Sequence, residues 1–225
     1  MRIASASIFT VVALCSGVAL AADVQPKTEE QKTLYALGLA MSKSLAAFNL
    51  SKAELEMVKV GVTDGALNKK PQVDLQVYGP KIQQLHQTRS VAVAEKEKQV
   101  GKVYVDKVAA EKGSAKTASG MVYSPIKVGE GAPPKATDTV KVHYQGTLMN
   151  GTVFDSSIQR GQPATFALNQ VIPCWTEGLQ LMKVGGRAKL VCPSAVAYGD
   201  QGRPPTIPAG ATLVFEVELL DIVKP

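Results

Sequence analysis

The stretch that decides the fold is Thr139-Val140-Lys141-Val142-His143-Tyr144-Gln145-Gly146-Thr147-Leu148-Met149-Asn150-Gly151-Thr152-Val153-Phe154-Asp155-Ser156-Ser157. Val140, Val142 and Tyr144 alternate with Lys141 and His143, the two-residue period of a half-buried strand. Asn150-Gly151 is a strong signal for a tight turn. Working outward, Ala164-Thr165-Phe166-Ala167-Leu168 reads as another short strand. Residues 176–182 read as a short helix closed by Gly185-Gly186. Arg187-Ala188-Lys189-Leu190-Val191-Cys192 alternates, as do Thr212, Val214, Phe215, Val217 and Leu219. On the N-terminal side, Met121-Val122-Tyr123 is strand-like and precedes a turn at residues 131–136. The spacing predicts an α+β domain over residues 119–225, an antiparallel β-sheet wrapped on one short helix.

The preceding residues follow a helical pattern instead. Thr28-Glu29-Glu30-Gln31 and Ser51-Lys52-Ala53-Glu54 are capping boxes. The first opens a helix to about Phe48, with Leu34, Leu37, Met41, Leu45 and Phe48 near helical spacing. The second carries Leu55, Val58, Val62 and Leu67 and breaks at residues 68–71. These two make a helical domain over residues 23–73. A long helix follows over residues 74–118, starting at Asp74 or Pro80, with scattered apolar positions and no strict heptad. A helix so lightly apolar gains little by packing on itself and reads as a stalk. Two short amphipathic helices do not enclose a sizeable core, and a second copy of the chain would supply the missing surface. A homodimer through residues 24–70 is therefore expected; helices folded back on the long one are the alternative.

Residues 1–22, MRIASASIFTVVALCSGVALAA, carry one early Arg, an apolar run and small residues before Asp23. This is the pattern of a secretory leader. Its removal leaves about 203 residues and lowers the formal charge from +6 to +5, by loss of Arg2. Export into the periplasm is expected, with an outer-membrane-associated or extracellular final location as further destinations. No second long apolar run exists, so no membrane span is expected. Residues 23–118 hold 15 Lys and Arg against 11 Asp and Glu, and residues 119–225 hold 9 against 8. The excess of positive charge sits on the helical part. There acids alternate with lysines and Arg89 is the one arginine, which argues against a nucleic-acid surface. The mature chain keeps Cys174 and Cys192. An oxidising compartment permits a disulfide between them, and two buried thiols are the simpler reading.

Aromatic and large aliphatic residues gather in the C-terminal part: Tyr144, Phe154, Phe166, Val171, Ile172, Trp175, Tyr198, Ile207 and Phe215. Most could be core. Trp175, the one tryptophan, opens the short helix, where its face could floor a shallow apolar cavity. Other chemistries lack the residues. His86 and His143 are the only histidines, and His143 sits in the strand as a sheet residue rather than a base. No His, Cys and carboxylate spacing suits zinc, and there is no Gly-x-Gly-x-x-Gly or Walker loop. No metal or cofactor is expected.

The order of the residues carries a resemblance. Val142-His143-Tyr144-Gln145-Gly146-Thr147-Leu148 with residues 151–157, then Val171-Ile172-Pro173-Cys174-Trp175-Thr176-Glu177-Gly178, Ala197-Tyr198-Gly199 and residues 207–220, resemble the FK506-binding-protein (FKBP) family of peptidyl-prolyl cis–trans isomerases. With the helical part, the long helix and the leader, the chain resembles the bacterial macrophage-infectivity-potentiator (Mip) and FkpA-like branch. The members of that branch are V-shaped dimers joined through their N-terminal domains. The resemblance implies an isomerase acting on proline-containing polypeptides, with macrolide inhibitors as further ligands. It places Trp175 on the pocket floor, Phe154 and Phe215 on the walls and Tyr144 nearby. Val171, Ile172, Arg160 and Ile207 complete the binding surface. The Ile172 backbone N–H and the Tyr198 hydroxyl become donors to ligand carbonyls, and Asp155 an acceptor at the rim. Four positions depart from the family: Ala164, where many members have a pocket Phe; Cys174, where Gly is usual; and Arg203 and Thr206 in a later loop. The non-enzymatic alternative is a chaperone that grips unfolded chains in the same apolar pockets.

Overall fold

The structure is a computed structural model that describes residues 25–223. The expected leader lies outside the described residues. The chain divides into a unit ending at Ala40 and a second that starts at Met41.

Both capping boxes form. Thr28 Oγ1 accepts the Gln31 N–H (3.1 Å) and Gln31 Oε1 accepts the Thr28 N–H (3.2 Å), opening helix α1 (Glu29–Leu45). A single 3₁₀ turn (Ala46–Phe48) carries the chain to Phe48. Ser51 and Glu54 exchange the reciprocal bonds of the second box and open α2 (Lys52–Ala66). Neither α1 nor α2 buries a residue. Asp74 accepts the Gln76 N–H (2.8 Å) and caps α3 (Leu75–Ala109), which therefore starts before Pro80 and runs through it. Arg89 of α3 pairs with Glu54 and donates 2.8 Å to the Phe48 carbonyl. That guanidinium, with the Ser51 backbone and hydroxyl, brings the Glu54 carboxyl down to about 2. Among the described residues no helix is long and apolar enough to cross a membrane.

The expected free-standing stalk is corrected in the C-terminal half of α3. Ala94, Gly101, Val105 and Val108 are buried there. Val105 and Val108 pack with Val122 and Val191 in a small cluster of their own. Spacings of seven, four and three residues put all four on one face. The stripe escapes a hydrophobicity reading because two of its four members are Ala and Gly.

Seven antiparallel strands form one sheet: β1 (Ala115–Lys116), β2 (Val122–Lys127), β3 (Thr139–Leu148), β4 (Val153–Ser156), β5 (Ala164–Ala167), β6 (Arg187–Cys192) and β7 (Leu213–Val223). Their order is β1-β2-β6-β7-β3-β4, with β5 on the same edge of β3 as β4. β3 and β7 pair over their whole length, from Thr139 opposite Val223 to Leu148 opposite Leu213. The alternation read from the sequence is observed in β3, where Val140, Val142 and Tyr144 are buried; in β7 it is corrected, since Leu213 joins Phe215, Val217 and Leu219 in that core and Val214 packs instead with Val122 and Val191. Helix α4 (Pro173–Gln180) packs on that face through Cys174, Trp175 and Leu179. It begins three residues earlier than its periodicity suggests, because Pro173 supplies a preset first helical position with no N–H to satisfy.

Cys174 and Cys192 form a disulfide with Cα atoms 5.8 Å apart, which corrects the reading as two thiols. Cys174 lies on the buried face of α4 and Cys192 ends β6, so helix packing, not sequence separation, brings them together. The bond closes a loop of 18 residues. Replacing both with alanine is expected to lower unfolding free energy by about 3 kcal/mol, from the lost constraint on the unfolded chain. Denaturant unfolding of the double variant against the oxidised protein measures it.

Candidate active site

Trp175 is the centre of the aromatic cluster. Its ring meets Tyr144, Phe166 and Phe215 edge to face, with centroids 5.1, 5.5 and 5.3 Å away. Phe154 in turn meets Phe215 at 5.5 Å and 89°. These are the arrangements that ring quadrupoles prefer. Strand register supplies them. Tyr144 comes from β3, Phe154 from β4, Phe166 from β5 and Phe215 from β7, each on the face that α4 covers. Gly146 is opposite Phe215 in the β3–β7 ladder. A β-carbon there would sit 2.6 Å from Phe154 Cζ and 2.9 Å from Phe215 Cε1, so the rings close over β3 only because that position has no side chain.

Trp175 Nε1 is buried without a hydrogen-bond partner. An orphaned donor costs about 1–3 kcal/mol. Burying an indole removes roughly 150–250 Å² from water, worth about 4–6 kcal/mol at 25 cal/mol per Å². The packing outweighs the lost bond.

The rim is charged. The Tyr144 hydroxyl donates to Asp155 Oδ2 (2.5 Å), Arg160 Nη1 pairs with Asp155 Oδ1, and Arg160 Nη2 donates 2.9 Å to the Tyr144 hydroxyl. The guanidinium also lies over the Tyr144 ring at 5.6 Å. Burial by itself raises the Asp155 carboxyl, but the Tyr144 hydroxyl, the Arg160 guanidinium and the Ser156 backbone outweigh it and hold the group below its usual range. Burial and the adjacent carboxylate push the Tyr144 phenol up, so it stays a donor.

Of the expected pocket residues, Tyr144, Phe154, Asp155, Arg160, Trp175 and Phe215 are joined by these contacts. Val171, Ile172, Tyr198 and Ile207 belong to the same apolar cluster. Ile172 is the residue before α4, and its carbonyl accepts the Trp175 N–H (2.9 Å). Phe166 was expected only as one of the aromatic group; it stands edge-on to both Trp175 and Tyr144. The signal was its place two residues from Ala164 on one strand, hence on the same face. His143 is half-exposed; it faces Glu218 in the ladder and lies 3.1 Å from Ser157 Oγ. A separate concavity of about 570 Å³ lies between the 3₁₀ turn, α3 and residues 201–209, and touches the aromatic cluster only at Ile207.

An aromatic floor beside a locked carboxylate makes an apolar receptor with a charged rim. The fold is that of a prolyl isomerase domain. Residues 130–220 match the family described as FKBP-type peptidyl-prolyl cis-trans isomerase, and residues 30–124 match the domain amino terminal to it. The FkpA isomerase of Aeromonas hydrophila is 44% identical over 227 residues, 96% of this chain and 84% of the relative. The 22 kDa FKBP-type isomerase of Escherichia coli K12 is 40% identical, covering 87% and 97%. A crystal structure of FkpA from Escherichia coli superposes with a TM-score of 0.67 at 38% identity, covering 87% of this chain and 97% of that one. The chain belongs to the FKBP-type peptidyl-prolyl cis–trans isomerases.

The lowered Asp155 carboxyl sets a pH dependence. The group is ionised well above 3.8, and its ion pair is lost only as pH falls through a value lower than that. Turnover of a peptide without titratable groups, followed by exchange NMR, is expected to be flat from about pH 8 to 5 and to fall at lower pH. Asp155→Asn should lower the plateau and remove the acid limb. A midpoint in the histidine range would contradict this assignment.

Proposed function

We propose that the aromatic cluster is the site of X–Pro isomerisation, and that Trp175, Val171, Ile172, Arg160 and Ile207 bind the substrate. Phe154, Tyr144, Phe215, Asp155 and Tyr198 act on the rotating bond. The observation that carries this reading is the convergence of Tyr144, Phe166 and Phe215 on the buried Trp175 ring. A proline ring packs on that floor.

Rotation about X–Pro requires no proton transfer and no nucleophile. Its barrier, about 18–20 kcal/mol, is the loss of amide resonance, and uncatalysed exchange takes tens to hundreds of seconds. A planar amide is charge-separated, and a dry aromatic cavity solvates it poorly. A twisted amide has less charge separation and loses less on entering. Binding the twisted form better than either planar form lowers the barrier. The Ile172 N–H and the Tyr198 hydroxyl donate to the flanking carbonyls, and the Asp155 carboxylate, held by Tyr144 and Arg160, faces the bond at the rim.

The organisation we favour is a helical dimerisation domain at residues 23–73, a connecting segment at 74–118 that is helical only over Leu75–Ala109 before strand β1, and the isomerase domain at 119–225. Leu34, Leu37, Met41, Met57, Val60, Val62 and Leu67 are large apolar residues left exposed on α1, on α2 and just after α2. A second copy would cover them. The leader-like residues 1–22 and the disulfide favour an exported, oxidising location, with unfolded exported chains as substrates and macrolides as inhibitors. The apolar concavity beside Ile207 favours an added chaperone role, holding chains as well as turning them over.

Phe154→Ala is expected to lower kcat/KM for a prolyl peptide at least tenfold, about 1.4 kcal/mol of transition-state stabilisation, and to leave suppression of client aggregation in place. A protease-coupled assay beside light scattering separates the two; equal loss of both would remove the chaperone reading. Deleting residues 23–70 should give a monomer that still turns over small peptides. Persistence of the dimer in sedimentation would overturn the assignment of the interface.

A further inference from the structure

Residues 198–212 form the loop that carries Tyr198 and Ile207. Its base is closed by the Gly210 N–H on the Gly199 carbonyl (3.0 Å) and the Gly202 N–H on the Tyr198 carbonyl (3.1 Å). Arg203 and Ile207 exchange backbone bonds of 2.8 and 3.0 Å at its tip. The loop is therefore tied together by its own backbone bonds, and it carries both pocket residues.

The loop rests on α3 at three points. Gly210, with φ +72°, approaches Ala94 so closely that a β-carbon on it would overlap the Ala94 carbonyl oxygen and stand 2.6 Å from Ala94 Cα. Ala94 itself is 2% exposed. Lys98 Nζ pairs with Asp200 at 2.7 Å, and the bond raises the ammonium's pKa. A β-carbon at Gly101 would overlap Thr212 Oγ1 and stand 3.1 Å from Thr212 Cβ. Ala94, Lys98 and Gly101 are spaced four and three residues apart, so one face of α3 meets both ends of the loop.

We propose that α3 is a positioning element of the active site. Its contact at Ala94 and Gly210, supported by Lys98–Asp200, holds Tyr198 and Ile207 where the substrate binds, so the connecting helix sets substrate affinity. This rests on the placement of the prolyl site in the aromatic cluster. The anchor at Val105 and Val108 packs elsewhere, on Val122 and Val191, so the helix can stay attached while its grip on the loop is changed. None of the three α3 positions touches the aromatic floor in this arrangement, and their effect on turnover passes through the loop.

The test uses the full chain with Ala94→Leu, Ala94→Ser and Lys98→Met. Ala94 is buried, so Leu at position 94 must displace the helix or what packs on it. The Leu variant should raise KM for a prolyl peptide about fivefold through Ile207, with a smaller fall in kcat through Tyr198, and give faster hydrogen exchange at residues 199–210. Ser, which nearly keeps the close approach, should restore wild-type KM. Lys98→Met, which leaves the packing intact, should raise KM about twofold and serves if the Leu variant does not fold. An unchanged KM in Lys98→Met and in a folded Ala94→Leu overturns the proposal. So does a fall in kcat that matches the loss of folded protein on heating with KM unmoved. If Phe154→Ala in the otherwise wild-type chain keeps full turnover, the placement of the prolyl site fails instead.

Discussion

An eight-residue helix laid across the face of an antiparallel sheet has to bury one side completely, and here that side ends in an indole. The packing of Trp175 beneath Tyr144, Phe166 and Phe215 is the contact on which the rest of the isomerase domain depends. Four strands must hold register for the four rings to meet, since a slip of one residue would send each ring to the opposite face. The Cys174–Cys192 bond ties the helix to the strand beside it, one residue from the indole. Floor, walls and staple are therefore a single packing problem, and the unpartnered Nε1 is tolerated because the ring area outweighs it.

The rim obeys a different rule. Asp155 is partly buried, and burial alone would favour its neutral form. Two donors from side chains and one from the backbone reverse that outcome. The result is a carboxylate in fixed orientation at the mouth of an apolar floor. Placing charge at the edge and none beneath it suits a reaction whose transition state is less charge-separated than its ground state. The same pairing ties β4 to the segment that carries Arg160, so the electrostatics of the rim and the shape of the pocket are set by the same residues.

The strands were readable because period-two alternation survives wherever one face is buried: Val140, Val142 and Tyr144 point inward in the structure as their spacing predicts. Both capping boxes were readable because they are local, three residues from donor to acceptor. The start of α4 at Pro173 rather than residue 176 was not readable from apolar periodicity, because a proline in the first turn is set by its ring and not by its hydrophobicity. Phe166 shares a face with Ala164, two residues before it, a faint signal in a strand only four residues long. The docked half of α3 was hidden for a chemical reason. Close approach is made by Ala94 and Gly101, residues that carry almost no hydrophobic signal, and its partners Gly210 and Thr212 lie more than a hundred positions away.

What the sequence determined by itself was the set of local conformations and the family to which the chain belongs. Alternation, caps and turn residues are properties of neighbours along the chain, and the family's motif blocks stand in order from Val142 to Leu220. What only the tertiary structure decided was who meets whom. Cys174 bonds to Cys192 because α4 crosses beside the end of β6. Phe166 reaches Trp175 because β5 takes the edge of β3, and α3 is seated on the loop that carries Tyr198 and Ile207. These are contacts between surfaces, set by shape and register across the fold, and no pattern within a single segment encodes the shape of the partner it will meet.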